Sequence, residues 1–296
     1  MLERLALARA TVDRAGERWT DAGWVAERWA DGGTQVVRVH QGRTPVRDGR
    51  LVMVSPAEAG VGTAYLLGVD ETDLAFFGVL TEEPFEDDGS ELLDLRSIGA
   101  LLDDRDAGLL VHAIALANWH SEHGFCARCG HATLVEQAGH VRRCPNCGAE
   151  HYPRTDPAII VLVTDPDDRA LLGHNPRWPE NRFSTLAGFV EPGESAEMAV
   201  VREVAEEAGV KVVDVTYLGS QPWPFPWSLM LGYTARAADP ATAIADGVEI
   251  SEVRWFSRDE LEAAVTAGEV LLPPGVSIAR RLVEHWYGRT LPERSW

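Results

Sequence analysis

A chain of 296 residues, with 45% hydrophobic and 25% charged side chains, has room for two domains that each bury a core. Its formal charge of −19 argues against a general polyanion-binding surface, which needs clustered Lys and Arg, but not against a small phosphate compound held through metal ions. The N-terminal stretch is charged throughout and lacks the apolar core of a signal peptide, and no apolar run approaches the roughly 20 residues that span a bilayer. A cytoplasmic protein with reduced thiols is expected.

Residues 1 to about 95 read as a small mixed domain. Strand-like runs at 34–40, 49–57, 64–70 and 74–80 are separated by Gly, Pro and Asp turns. An acidic loop at 81–91 follows, then helical segments near 97–104 and 106–121, which close an N-terminal β-rich domain at about residue 120. This part carries no chemical motif. Arg96, just before the first helix, is its candidate ligand contact.

Cys126, Cys129, Cys144 and Cys147 form two C-x2-C knuckles separated by fourteen residues. Four thiolates fill the tetrahedral shell of zinc and leave no open position, so the site is structural. It staples a ribbon over 121–152 that is too short to build its own core, and a clamp between domains is the expected role. Gly130 and Gly148 sit where the knuckles turn. Three arginines against three glutamates in the ribbon speak against nucleic-acid binding. His123, His131, His140 and His151 lie nearby. With four thiolates available they are assigned surface or packing roles.

Residues 153–296 mix strands with a few helices. Strands are expected at 158–163, 169–175, 182–190, 211–221, 229–237 and 249–257. A helix over 257–268 is capped by Ser257 with Glu260 three positions on, and a last helix runs near 276–287. SQPWPFPWS at 220–228 reads as a stiff, exposed loop that cannot continue a strand. The richest stretch is Gly188 to Val210, a glycine-bearing loop leading into a glutamate-rich helix closed by Gly209. On a helical wheel Val201, Val204, Ala205 and Ala208 form an apolar stripe expected to face a core. Glu203, Glu206 and Glu207 fall nearly opposite. Arg202 can pair with Glu206, but one arginine cannot balance three acids, and hard divalent cations prefer such oxygen ligands.

Gly188, Glu194, Arg202, Glu203, Val204, Glu206, Glu207, Gly209 and Val210 match G-x5-E-x7-R-E-U-x-E-E-x-G-U, the Nudix box, at every fixed position. The chain therefore resembles a Nudix hydrolase. With the ribbon upstream and an S-Q-P-W-P-F-P-x-S signature downstream, it resembles the NAD(H) pyrophosphatase branch over about residues 120–290.

The resemblance implies an α/β/α sandwich at the C-terminus of an α+β chain. It implies hydrolysis of NADH or NAD+ to AMP and nicotinamide mononucleotide, extending in some members to NAD caps on RNA 5′ ends. Mg2+ or Mn2+ is expected on Glu203, Glu206, Glu207, the Ala187 carbonyl and a distal Glu249, with Glu252 as its alternate. Glu207 or Glu206 is the expected proton acceptor, and Glu194 orders the loop and Arg202. Nicotinamide is expected between Phe189 and Tyr152, the latter reaching in from the other subunit of a homodimer. Gln221, Pro222, Trp223, Pro224, Phe225, Pro226, Trp227 and Ser228 line the site in this reading, and Ala279 touches substrate. The alternative is a non-catalytic Nudix sensor that binds NAD or ADP-ribose and regulates a partner. Complete glutamates and the absence of a basic DNA-binding helix argue against it.

Overall fold

Apolar runs punctuated by Gly and Asp turns pair as four sheets in the computed structural model, which describes residues 1–85 and 88–292. Glu86 and Asp87 of the expected acidic loop lie outside the described residues. The chain divides into two compact units. One holds residues 9–155 with 223–227, the other residues 1–8, 156–222 and 228 onward.

The first unit begins with helix α1 (Ala22–Ala30), where the Asp21 carboxylate accepts a hydrogen bond from Trp24 N–H. Strands β1 (Gln35–Val39), β2 (Arg43–Arg47), β3 (Arg50–Leu51), β4 (Gly62–Val69), β5 (Ala75–Thr81) and β6 (Glu91–Asp94) follow. They form two small sheets, ordered β1-β5-β4 and β3-β2-β6. Helix α2 (Leu95–Ile98) is a single turn. Helix α3 (Asp104–Glu122) buries Leu109, Leu110, Ile114 and Trp119.

Several boundaries differ from expectation. The first helix is one turn at 95–98 rather than 97–104. The second starts earlier because Asp103 caps it, accepting from Asp106 N–H. The run 49–57 contributes only two strand residues before a 3-10 turn at Pro56–Glu58.

The ribbon strands β7 (Leu134–Glu136), β8 (Val141–Arg143) and β9 (Glu150–His151) form a small antiparallel sheet. The ribbon docks on the N-terminal sheet through histidines. His140 stacks on Trp19 with ring centroids 3.6 Å apart, and its Nε2 lies 2.9 Å from the Leu66 carbonyl. His120 faces the Gly139 carbonyl through Nε2 and accepts from Arg142 Nη1 at 3.0 Å. Packing is thus the role of His140.

The second unit contains β10 (Asp156–Thr164), β11 (Ala170–His174), β12 (Leu186–Phe189), α4 (Ala196–Ala208), β13 (Val212–Trp223), β14 (Ser228–Ala237), β15 (Glu252–Phe256), α5 (Arg258–Ala267) and α6 (Ile278–Tyr287). Its sheet is ordered β13-β14-β10-β11-β15, with β12 also on β10. Alternation along β10 builds both faces. Ile159, Val161 and Val163 pack with Val200, Val204 and Ala208 of α4, whereas Ile160 and Leu162 join the cluster of Leu261, Leu282 and Trp286 from α5 and α6. A sheet between helices is the α/β/α sandwich expected.

Two expectations fail here. The buried face of α4 is Ala199, Val200, Glu203, Val204, Glu207 and Ala208, while Val201 is 44% exposed and Ala205 is also exposed. Two of the three glutamates therefore turn toward the sheet rather than away from it. The second failure is at 220–228. Strand β13 runs through Pro222 to Trp223, only Pro226 of this stretch is exposed, and β14 resumes at Ser228. β13 is an edge strand, where a proline's missing N–H is tolerated.

Candidate active site

Strand β12 and helix α4 build the centre of the site. β12 pairs with β10, placing Ala187 opposite Ile160 and Phe189 opposite Ala158. Helix α4 is capped at its start by Ser195, whose hydroxyl accepts from Met198 N–H, and at its end by Gly209 with φ 66°, a left-handed cap that favours glycine. At Gly188 a β-carbon would overlap the Glu203 carboxylate. Glycine there lets the helix bring that carboxylate against the strand.

Arg202 gathers the charges. Its guanidinium donates to Glu194 at 2.8 and 2.9 Å, to Glu203 at 2.8 Å, to Glu206 at 3.0 Å and to the Phe189 carbonyl at 2.9 Å. Glu194 in turn accepts from Glu191 N–H, closing the loop before the helix. The ordering role expected of Glu194 matches this geometry.

Glu207 is the anomaly. It is 6% exposed, and its Oε2 is buried without a hydrogen-bond partner. Burial pushes its carboxyl up to about 8; the charges of Glu203 and Glu249 add to that, a hydrogen bond from the Ala187 backbone opposes it, and Asp246 adds further. Burial likewise raises the Glu203 carboxyl, against the pull of Arg202. A buried carboxylate oxygen with acids around it and no donor suits a hard cation. The carboxylate oxygens stand apart: among the described residues only the four cysteines bring three or more ligand atoms within 4.8 Å of one another. Like charges repel, and Arg202 holds Glu203 and Glu206 in place against that repulsion. Glu249 sits exposed ahead of β15, its charge bearing on both buried glutamates, whereas Glu252 pairs with Arg254 at 3.8 Å.

The remaining predicted residues fall in several places. In the first unit, Arg96 lies over Phe225 at 4.2 Å and Trp223 at 5.4 Å, and Trp223 meets Phe225 edge-on at 4.9 Å. Asn118 Nδ2 donates to the carbonyls of Pro224 at 2.9 Å and Pro226 at 3.0 Å. Trp227 lies beneath Arg154 and edge-on to His123. Tyr152 is 61% exposed and donates its hydroxyl to Glu150.

In the second unit, Phe189 is 59% exposed. Gln221 is fully buried, accepting from Leu7 N–H at 3.2 Å and donating to the Val276 carbonyl at 3.0 Å, so its amide is consumed within the fold. Pro222 and Ser228 are half-buried, and the Ala279 side chain is buried among Ile278, Leu282 and Val283.

In the ribbon, Cys126 Sγ lies 3.7 Å from Cys147 Sγ, and Cys129 Sγ 3.4 Å from Cys144 Sγ. A tetrahedron with zinc–sulfur bonds of about 2.3 Å has sulfur edges near 3.8 Å, so the four thiols fit zinc. His151 Nε2, 3.3 Å from Cys126 Sγ, supplies an outer hydrogen bond to it.

Family models match all three parts: a NADH pyrophosphatase-like rudimentary NUDIX domain over residues 31–119, a NADH pyrophosphatase zinc ribbon domain over 121–152 and a NUDIX domain over 154–275. The chain is 42% identical over 301 residues to the NAD-capped RNA hydrolase NudC of Mycobacterium bovis (strain BCG / Pasteur 1173P2), covering 95% of this chain and 94% of that protein. It belongs to the Nudix family. The NudC protein of Mycobacterium tuberculosis (strain ATCC 25177 / H37Ra) matches with the same identity and coverage. The NAD-capped RNA hydrolase NUDT12 of Homo sapiens is 42% identical over 197 residues, covering 62% of this Nudix chain and 42% of that protein.

Sequence reasoning missed two residues of this Nudix chain that the structure makes prominent. Asn118 holds the carbonyls of the proline-rich turn, and nothing in a helical asparagine announces that. Asp246 organises the loop bearing Glu249, and its Asp-Gly pair is a turn signal that could have found it.

Proposed function

We propose that this chain is a Nudix hydrolase that cleaves the pyrophosphate of NAD(H), free or as the 5′ cap of RNA, to nicotinamide mononucleotide and AMP. The buried, unpartnered Glu207 oxygen, with Glu203 and Glu249 acting on it, carries this reading. The curated relatives are named as NAD-capped RNA hydrolases, which supports the same substrate.

Glu203, Glu206, Glu207 and Glu249 are the residues that would hold Mg2+ or Mn2+, with the Ala187 carbonyl as a fifth donor. When bound, such ions neutralise pyrophosphate charge and lower the pKa of water. A water oxygen bonds to one phosphorus as the bridging P–O bond breaks, and Glu207 or Glu206 takes up the proton that water releases. Glu207 is buried beside the Ala187 backbone, within the group of acids that would receive that proton. Arg202 keeps Glu203 and Glu206 from collapsing apart. Exposed Phe189 and Tyr152 offer ring faces for the nicotinamide, and Arg96 stiffens the aromatic turn. Ala279 enters this reading as a backbone contact, its side chain being buried.

The division at 1–120, 121–152 and 153–296, a homodimer sharing Tyr152 and a cytoplasmic location belong to the same proposal. No helix of the described residues is long and apolar enough to cross a membrane. The test is AMP release from NADH and from NAD-capped RNA with Mg2+, for wild type and Glu207→Gln. Wild-type turnover that drops by about 10²-fold or more in the variant supports the hydrolase. Tight NAD binding with no turnover in either protein would replace it with a sensor.

A further inference from the structure

We infer that Asp246 is a positioning residue that holds Glu249 opposite the glutamates of α4. The inference rests on the reading of Glu249 as a metal ligand. Asp246 lies in the loop between β14 and β15, and its carboxylate is spent on the backbone of the next turn. Oδ1 accepts from Val248 N–H at 3.2 Å and from Ile250 N–H at 2.8 Å, while Oδ2 accepts from Glu249 N–H at 3.0 Å. Gly247, at φ 75°, lets the turn close, and its N–H donates to the Ile250 carbonyl at 2.9 Å. Ile250 is then buried in the core cluster beneath α4. The Glu249 backbone is therefore gripped on one side by a carboxylate and pinned on the other by a core residue.

The same residue reaches the helix. Asp246 N–H donates to the Glu207 carbonyl at 3.2 Å, and Ile244 N–H donates to the Ala208 carbonyl at 2.9 Å. These bonds satisfy carbonyls that the last turn of α4 leaves open. Gly209 makes the approach close, since a β-carbon there would meet the Thr242 carbonyl oxygen at 3.1 Å. Asp246 thus ties Glu207 through its amide and Glu249 through its carboxylate. An acid placed near two others costs stability through repulsion. Three N–H donors on its oxygens, and a role in spacing those acids, account for its presence.

Asparagine at 246 separates the roles. It keeps an acceptor for Val248 and Ile250 but sets an amide donor against Glu249 N–H, so the turn survives while the grip on Glu249 is lost. Second-layer residues of this kind are worth about 10- to 100-fold in metal affinity.

The experiment measures Mn2+ binding to the zinc-loaded protein by titration calorimetry, thermal melting without Mn2+, and the Mg2+ dependence of NADH hydrolysis. The proteins are wild type, Asp246→Asn, Asp246→Ala, Glu249→Gln and the double variant Asp246→Asn/Glu249→Gln. Asp246→Asn is expected to weaken Mn2+ binding about tenfold and to raise the half-saturating Mg2+ concentration equally, with melting and the KM for NADH unmoved. Asp246→Ala should weaken binding further and lower the melting temperature. The double variant should bind no worse than Glu249→Gln alone. Wild-type Mn2+ affinity in Asp246→Asn, alongside a weakened Glu249→Gln, overturns the positioning role and leaves Glu249 standing. Multiplying effects in the double variant overturn it too, because Asp246 then acts elsewhere. Unchanged binding and hydrolysis in Glu249→Gln would sink the ligand assignment itself.

Discussion

The carboxylate of Glu203 rests against Gly188, in the space where any other residue would carry its β-carbon. The contact joins strand β12 to helix α4 and sets how deep the acidic face sits. Gly188→Ala must push Glu203 off the strand or pull the helix away. The overpacking costs about 1–3 kcal/mol of stability. The larger effect falls on function, because a displacement of about 1 Å at a reacting centre costs on the order of 10²-fold. NADH hydrolysis by Gly188→Ala should therefore drop by about 10²-fold in kcat/KM while the protein still melts cooperatively. Near-wild-type turnover would show that Glu203 is not held by this contact.

The cysteine site should govern stability rather than chemistry. Cys144 is buried, and each knuckle is closed by a backbone bond, Gly130 N–H to the Cys126 carbonyl and Gly148 N–H to the Cys144 carbonyl. Without a metal, four clustered sulfurs have little to hold them. Cys144→Ser, or zinc stripping by a chelator, should cost at least about 3 kcal/mol and lower the melting temperature by roughly 6–12 °C. Zinc content by atomic absorption and scanning calorimetry check this together. A zinc-free protein with unchanged melting would contradict a structural site.

Much of this was readable because it depends on spacing alone. Two C-x2-C knuckles, the glutamate box and the unbroken apolar run of β10 each dictate local geometry wherever the chain takes them. The orientation of α4 was not readable. A wheel shows that Val201, Val204, Ala205 and Ala208 share a stripe, but not that the sheet takes the neighbouring stripe of Val200, Glu203, Val204 and Glu207. Buried acids oppose the hydrophobic rule, and a functional site is where that rule is expected to fail. Prolines hid one strand and the end of another. Pro45 lies in β2 between β3 and β6, and Pro222 lies in edge strand β13. The grip of Asp246 on Glu249 became visible only once the loop was folded.

The buried histidines make the first unit sensitive to acid. Burial pushes His112 down to about 3, helped by Arg14 and His140, and pushes His120 and His140 down to about 4, with Arg142 adding to the first and Arg14 to the second. In the unfolded chain each titrates near 6.5. Below that pH the unfolded state binds more protons, so stability is whole above pH 6.5 and falls as pH drops toward 4. The slope is about 1.4 kcal/mol per pH unit for each histidine. Melting curves at pH 7, 6 and 5 should show the loss, and His112→Gln/His140→Gln should flatten it. Equal slopes in the two proteins would mean that other groups set the acid limit.

Asn118 offers the sharpest test of how the proline-rich turn is held. Its Nδ2 donates to the carbonyls of Pro224 and Pro226, while Arg96 covers the Phe225 ring between them. Two neutral hydrogen bonds contribute about 1–2 kcal/mol together, because water competes for each. Asn118→Ala leaves both carbonyls to water and frees the turn. If the turn orders the substrate, this energy is lost from binding, and the KM for NADH should rise about five- to thirtyfold with kcat little changed. Asn118→Asp presents acceptors to the same carbonyls and should be at least as damaging, whereas Asn118→Gln should recover part of the loss. An unchanged KM in Asn118→Ala would mean that the turn takes its shape from its prolines and Arg96, and that the hydrogen bonds only accompany it.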